Sequence, residues 1–138
     1  MNRTAETSPY QRAWIDSQEA DLAEARAAIA ARDFERLADI SEFSCLKMHA
    51  LAMAAKPGLL YWNPATVAGM HEVRRLRAAG VPVFFTIDAG PQLKAICLPE
   101  AAAQVAAALR GLPGVLDVLE TGLGGAATVI APADVTAA

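Results

Sequence analysis

The sequence is poor in the features that mark secreted and membrane proteins. Its 138 residues include only two cysteines, Cys45 and Cys97, too few for the disulfide framework of a small secreted domain. The first residues are polar and lack the apolar core of a secretory signal. No uncharged apolar run reaches the length needed to cross a bilayer. We therefore expect a cytoplasmic protein with no membrane partner.

The sequence also lacks an excess of positive charge. Its 12 Lys and Arg residues stand against 15 Asp and Glu residues, which gives a formal net charge of −3. Nucleic-acid-binding domains normally show a basic footprint, so nucleic acid is not an expected partner. Arg74, Arg75 and Arg77 cluster on a predicted helix, where a solvated outer face accounts for them. The length fits a single domain over residues 1–138, with a loose tail over 132–138.

Capping residues and apolar spacing predict four helices. They begin at Thr7-Ser8-Pro9, near Phe34, at Asn63-Pro64 and at Pro99, and the last three end near Ala55, Gly80 and Arg110. β-branched and aromatic runs predict strands at Val81–Phe85, Leu93–Leu98, Val115–Leu119 and Thr128–Ile130. Because helices come first and a mostly antiparallel sheet follows, we predict an α+β domain of two layers, with helices packed on the sheet.

The main candidate for chemistry is Asp88, within Thr86-Ile87-Asp88-Ala89-Gly90-Pro91. Gly90 and Pro91 cannot comfortably extend a strand, so they mark a reversal between the first two predicted strands. The side-chain period of two puts Phe84, Thr86 and Asp88 on one face of the hairpin. A lone carboxylate where an apolar strand opens into a loop is well placed for catalysis. The competing interpretation is a turn former, because Asp readily hydrogen-bonds its own backbone two residues on.

Glu42, Cys45 and His49 form a second group, spaced i, i+3 and i+7 along one predicted helix. The set lacks a fourth ligand for a structural metal site, so no metal is expected. Cys45 is a nucleophile only if a base lowers its pKa, and its apolar neighbours favour a small core residue instead. For His49 two alternatives stay open: a helix histidine held by polar neighbours, or a support beneath a ligand pocket.

A glycine-rich run, Gly122-Leu123-Gly124-Gly125, is similar to part of a phosphate-binding loop. It lacks the Lys-Ser/Thr of a P-loop and opens no long helix, so a tight connection between strands explains it equally well. No Ser/His/Asp set with the character of a catalytic triad is evident.

Five segments, taken together, resemble one known family in order and spacing. They are Met1 with Thr4 and Thr7-Ser8, Glu42 with Leu46-Lys47-Met48-His49-Ala50, Pro57 with Tyr61, Val73 with Leu76-Arg77 and Gly80, and Phe85-Thr86-Ile87-Asp88-Ala89-Gly90-Pro91. The family is diphosphomevalonate decarboxylase of the GHMP kinase superfamily, and the resemblance is to its C-terminal half. It covers the chain to about Ile130, and the Asp-Ala-Gly-Pro block after a Phe-Thr strand is its most specific part.

The resemblance implies a fold and a reaction. The fold would be the two-layer α+β C-terminal domain of GHMP kinases. The family phosphorylates the tertiary hydroxyl of mevalonate 5-diphosphate with ATP, and loss of phosphate and carbon dioxide then gives isopentenyl diphosphate. It implies that Asp88 faces that hydroxyl and that Ala89 and Met1 line the substrate site. Glu42, His49 and Gly90 would support the site.

The resemblance also implies what this chain lacks. ATP and Mg would be bound mainly by the family's N-terminal half, so that half is an expected partner and the chain alone should be inactive. Gln92 and Ser44 stand where the family usually has Asn, which points to an altered substrate such as mevalonate monophosphate or mevalonate itself. The alternatives are a non-catalytic binding module and a kinase without decarboxylation. An exposed apolar docking patch would favour self-association, and a homodimer stays open.

Overall fold

The computed structural model describes residues 2–128. Within that range the elements are α1 (Asn2–Thr7), α2 (Gln11–Ala31), α3 (Phe34–Met53), α4 (Pro64–Ala78), β1 (Val83–Ile87), β2 (Leu93–Cys97), a 3₁₀ turn (Pro99–Ala101) and α5 (Ala102–Arg110). Helices α3, α4 and α5 confirm the predicted helices. None of the helices in the described range is long and apolar enough to cross a membrane.

Local capping explains where α3 and α4 begin. The Asp33 carboxylate accepts a hydrogen bond of 3.0 Å from the backbone N–H of Arg36, which satisfies a free donor in the first turn of α3. Asn63 and Thr66 form a reciprocal capping box at the start of α4. The predicted first helix is displaced, because residues 2–7 form the separate helix α1 and Ser8 is buried between it and α2.

The sheet in the described range is an antiparallel hairpin of β1 and β2. Its register runs from Val83 opposite Cys97 to Ile87 opposite Leu93, which confirms the predicted hairpin. The strand predicted at Val115–Leu119 is wrong: this segment has no regular structure. Among residues 2–128 no neighbouring strand pairs with it, and an apolar run becomes a strand only by pairing. Of the predicted strand Thr128–Ile130, residues 129 and 130 lie outside the described range.

The core lies on one face of β1. Val83, Phe85 and Ile87 point into a cluster built with α4, α5 and the 3₁₀ turn. The other members of that cluster are Cys45, Met70, Val73, Leu76, Val81, Ala101, Val105 and Leu109. Each large side chain buried here contributes about 1.5–3 kcal/mol relative to exposure. Helices therefore cover this face of a small antiparallel sheet, and the predicted α+β fold class is confirmed.

Helices α2 and α3 pack on each other beside the hairpin. Helix α3 runs along β1, and the ring of Phe34 lies 5.4 Å from the ring of Phe84, on the face opposite the core. Helix α2 packs mainly on α3. This arrangement leaves part of the Phe84 face of the hairpin open beside the two helices.

Candidate functional site

Asp88 lines a cleft with a volume of about 450 Å³ between α2, α3 and the hairpin. Phe84 and Thr86 line the same cleft, so the predicted placement of these three side chains on one face is confirmed. The Asp88 side chain is 77% exposed, which puts its carboxylate at the solvent end of the cleft. The opposite wall includes Trp14, Gln18, Ser41 and Ser44.

The Asp88 carboxylate forms an ion pair with the ammonium group of Lys94. Lys94 lies directly opposite Thr86 in the hairpin register, so its side chain leaves the sheet on the same face as Asp88. Within residues 2–128 Asp88 accepts no hydrogen bond from the backbone of its own turn. The carboxylate therefore does not fasten the bend, contrary to the turn-former interpretation.

The turn after Asp88 is attached to helix α4. The Thr66 hydroxyl donates a hydrogen bond of 2.7 Å to the carbonyl oxygen of Pro91. Ala89 is exposed and Gly90 is half-buried. A Cβ atom on Gly90 would lie 2.5 Å from the amide oxygen of Gln92, so any larger residue would displace that side chain. The turn is thus held by the first turn of a capped helix.

Side chains of α3 bind the edge of β1 that faces away from β2. The carbonyl of Pro82 accepts a hydrogen bond of 3.2 Å from the N–H of Leu98. Because backbone groups alternate between the two edges of a strand, those of the even-numbered residues of β1 point toward β2 and those of the odd-numbered residues point toward α3. The Glu42 carboxylate accepts a hydrogen bond of 3.4 Å from the backbone N–H of Phe85. Three helix residues therefore take the place of a neighbouring strand; the other two are Cys45 and His49.

Cys45 and His49 both bind Ile87, the residue immediately before Asp88. The Cys45 sulfur accepts the N–H of Ile87 at 3.2 Å and donates to its carbonyl at 3.5 Å. The His49 Nε2 lies 3.0 Å from the same carbonyl, and because a carbonyl only accepts, Nε2 carries the proton. His49 is 1% exposed and packs against the ring of Trp62 at 4.9 Å.

This geometry makes Cys45 a poor nucleophile. Burial raises the pKa of the Cys45 thiol, which favours the neutral, unreactive form. Glu42 is buried as well, and its carboxylate lies 3.3 Å from the guanidinium of Arg74. All three α3 residues thus contact the backbone of β1.

The described residues do not fit an ATP–magnesium site. Between residues 2 and 128 no group of three His, Cys, Asp or Glu side chains is arranged to hold a metal ion. Gly122, Gly124 and Gly125 have no atom within 4 Å of where a Cβ would stand, so no close approach of the described chain requires glycine at these positions. No helix begins directly after them in this range. Met1, the predicted pocket-lining residue, lies outside the described residues.

Two contacts of the site were not predicted from the sequence. Lys94 and Thr66 were not singled out, although the hairpin register alone places Lys94 opposite Thr86. For Lys94 the available signal was one charged residue within an apolar strand. Thr66 carried only a helix-capping signal, and its contact with Pro91 depends on tertiary packing.

Comparisons with a family model and with solved structures point to the same family. Residues 1–122 match the family described as Mevalonate 5-diphosphate decarboxylase C-terminal domain. The mevalonate diphosphate decarboxylase from Enterococcus faecalis is 36% identical, with a TM-score of 0.76 over 82% of this chain and 36% of that chain. MDDEF in complex with MVAPP, AMPPCP and magnesium is also 36% identical, with a TM-score of 0.76 over 81% of this chain and 35% of that chain.

A relative with a different described activity also matches. The Phosphomevalonate decarboxylase of Haloferax volcanii is 35% identical over 72 residues, which are 51% of this chain and 22% of that protein. The chain thus spans little more than a third of the length of the solved relatives and about a fifth of the Haloferax protein.

Proposed function

Because the chain belongs to the family of mevalonate 5-diphosphate decarboxylase C-terminal domains, we propose that it is the C-terminal part of an ATP-dependent decarboxylase. The substrate is mevalonate 5-diphosphate and the product is isopentenyl diphosphate. The observation that carries the proposal is the position of Asp88, whose carboxylate follows β1 directly and lines an open cleft.

Asp88 acts on the tertiary hydroxyl of the substrate. A carboxylate is a much weaker base than an alkoxide, so it does not remove the hydroxyl proton before phosphoryl transfer begins. It accepts the hydroxyl hydrogen bond, orients the oxygen for in-line attack and takes the proton as phosphoryl transfer proceeds. Alternatively, if solvent takes the proton, the charged carboxylate steadies the positive charge that develops at the same carbon as phosphate leaves, and the electron pair from loss of carbon dioxide then forms the double bond.

The neighbours of Asp88 have separate roles. Ala89 and Met1 line the substrate site, and Gly90 lets the turn pass close to the Gln92 side chain. Glu42 and His49 hold β1 so that the carboxylate keeps its direction. The buried hydrogen bonds from α3 to Phe85 and Ile87 support this assignment.

ATP and magnesium are bound by the part of the enzyme that this chain does not contain. The absence of a suitable ligand group among residues 2–128 is in accord with that division. The ATP analogue AMPPCP and magnesium are present in a relative that is much longer than this chain. When bound, the nucleotide supplies the transferred phosphoryl group. This chain supplies the carboxylate and one wall of the cleft.

Mevalonate 5-phosphate is the second candidate substrate. The relative from Haloferax volcanii is described as a phosphomevalonate decarboxylase. Ser44, one of the two departures from the family pattern, lines the cleft. A hydroxyl here in place of an amide changes the length and the hydrogen-bonding groups of a side chain that faces the cleft, which accords with a different bound substrate.

The test is an enzyme assembled from this chain and the N-terminal part of the Enterococcus faecalis relative, expressed together. Release of carbon dioxide and phosphate is measured with mevalonate 5-phosphate and with mevalonate 5-diphosphate. We expect Asp88→Asn to keep the fold and lose most turnover. The matched control is Asp16→Asn, which removes an exposed carboxylate from a surface pair on α2.

Each outcome selects one function. Near-normal turnover in Asp88→Asn contradicts the proposal. ATP consumption without carbon dioxide release favours a kinase, and an assembled but inactive wild-type protein favours a non-catalytic module. For the isolated chain we expect weak or absent binding of mevalonate 5-diphosphate by calorimetry, and micromolar binding would contradict the need for the other half.

A further inference from the structure

The ammonium group of Lys94 forms an ion pair with the Asp88 carboxylate, which lines the open end of the cleft. We propose that Lys94 is a substrate-binding residue that takes an anionic oxygen of the substrate, from a carboxylate or a phosphate, beside Asp88. The inference rests on the proposed function, since it places the substrate hydroxyl at Asp88. The observations that carry it are the hairpin register, the ion pair and the exposure of both side chains.

The register fixes where Lys94 points. Lys94 is paired with Thr86, and side chains of paired residues leave an antiparallel sheet on the same face. Thr86 and Asp88 line the cleft, so Lys94 projects from the cleft face of β2. The Lys94 ammonium is close enough to pair with Asp88 from there, six residues away along the chain. A ligand group bound at Asp88 therefore lies close to the Lys94 ammonium.

Lys94 can exchange its partner, whereas Lys47, the lysine that pairs with Asp21 at the cleft wall, is held by several contacts. Lys47 is 20% exposed, binds Asp21 and the Ser17 hydroxyl, and lies 4.5 Å over the ring of Phe43. By contrast, the Lys94 and Asp88 side chains are 54% and 77% exposed. Exposed ion pairs contribute little to stability, so a substrate anion can replace Asp88 at the ammonium without a large cost.

The charge of the substrate fits this position. A phosphorylated mevalonate carries a carboxylate and a phosphate, and Asp88 alone would repel both. The carboxylate is joined through one methylene to the carbon that bears the hydroxyl. When that hydroxyl binds Asp88, the substrate places an anionic oxygen close to the same end of the cleft. Lys94 then offsets the repulsion and selects an anionic ligand.

The kinetic test compares Lys94→Met and Lys94→Arg in the assembled enzyme. Loss of a charge-assisted bond to substrate predicts a rise in KM of about tenfold or more in Lys94→Met, with kcat within about threefold. Lys94→Arg keeps the charge and should restore most of the affinity. The matched control is Arg75→Met, which removes an exposed cation paired with Glu72 on α4.

An inhibitor separates the two possible anions. The phosphorylated diol that lacks the carboxylate is tested as a competitive inhibitor. If Lys94 binds the carboxylate, Lys94→Met does not weaken this inhibitor; if Lys94 binds the phosphate, Lys94→Met weakens it as much as the substrate. Equal KM values for wild type and Lys94→Met would overturn the proposal. A fall in kcat alone would also overturn it, because Lys94 would then act only by orienting Asp88.

Two further results complete the design. If Asp88→Asn loses activity while Lys94→Met is unchanged, the proposed function stands and the inference about Lys94 fails. If Asp88→Asn stays active, both fail. In the assembled enzyme, NMR with millimolar mevalonate 5-phosphate should shift the side-chain resonances of Lys94 and not those of Lys56. No shift at Lys94 in an assembled enzyme that turns over this substrate would overturn the proposal.

Discussion

The imidazole Nε2 of His49 lies 3.0 Å from the backbone carbonyl oxygen of Ile87. This hydrogen bond joins the last third of α3 to the residue immediately before Asp88. Both partners are almost fully buried, so water does not compete for the bond. The carboxylate proposed to face substrate is therefore positioned by a long helix, although it stands at the start of an exposed turn.

Removing the His49 donor should destabilise the chain. His49→Phe keeps an aromatic ring but leaves the Ile87 carbonyl with only the weak sulfur contact. We expect a loss of about 1–3 kcal/mol in the free energy of unfolding, measured with urea. His49→Gln can still donate and should lose less. The matched control is His71→Phe, at an exposed position of α4, with a change within about 0.5 kcal/mol. Equal losses at His49 and His71 would contradict this role.

The Thr66 hydroxyl should be necessary for the shape of the turn. Thr66→Val removes the bond to Pro91 and half of the capping box, and we expect it to cost about 1–3 kcal/mol. Thr66→Ser keeps the hydroxyl and serves as the control. Amide chemical shifts of Ala89 and Gly90 should change in the valine variant and stay close to wild type in the serine variant. Unchanged shifts in both variants would show that the turn holds without Thr66.

Cys45 should make stability decrease in alkaline solution. Burial raises the pKa of its thiol, so the folded state favours the neutral form. The stabilisation is complete below the pKa of the unfolded thiol, about 8.5, and is lost as pH rises through the higher folded value. Urea unfolding across that range should therefore show a smaller decline for Cys45→Ser than for wild type. Cys97→Ser is the control, and the part of the decline that is due to Cys45 should remain in it. Identical slopes of stability against pH for wild type and Cys45→Ser would refute the assignment.

The isolated chain should self-associate through its exposed leucines. Leu116, Leu119 and Leu123 are at least 86% exposed along a segment without regular structure. Large exposed apolar patches mark interaction surfaces, so we expect sedimentation velocity to show oligomers. Serine at all three positions should shift the chain toward monomer. Leu60→Ser, at a leucine that is 70% exposed elsewhere, should have little effect. A monomeric parent chain would contradict this prediction.

Local signals in the sequence predicted most helix bounds, because capping depends on neighbouring residues. Asp33 and the Asn63-Pro64 pair specify the starts of α3 and α4 with little help from tertiary structure. The Asp88 hairpin could be predicted equally well, since the alternation of side chains along a strand and the turn residues are signals that extend over only a few positions. The Val115–Leu119 strand was wrong because strand formation depends on a partner strand, which a local pattern does not specify.

The supporting contacts of the site needed the tertiary structure. The spacing of Glu42, Cys45 and His49 showed that they share a helix face, and two interpretations of His49 stayed open. Only the packing of α3 along β1 shows that these side chains meet backbone groups. The Asp88–Lys94 pair is similar, because the register places the two residues on one face but does not require contact.

The row of α3 side chains along β1 has a consequence for how the sheet can grow. Because the outward-facing N–H groups of Phe85 and Ile87 and the C=O of Ile87 bond these side chains, another strand cannot add along this part of β1. The far side of β2 differs, since its outer backbone groups meet no strand within residues 2–128. The hairpin is therefore asymmetric, because helix α3 covers the outer edge of β1 while the backbone edge of Leu93–Cys97 meets no strand in this range.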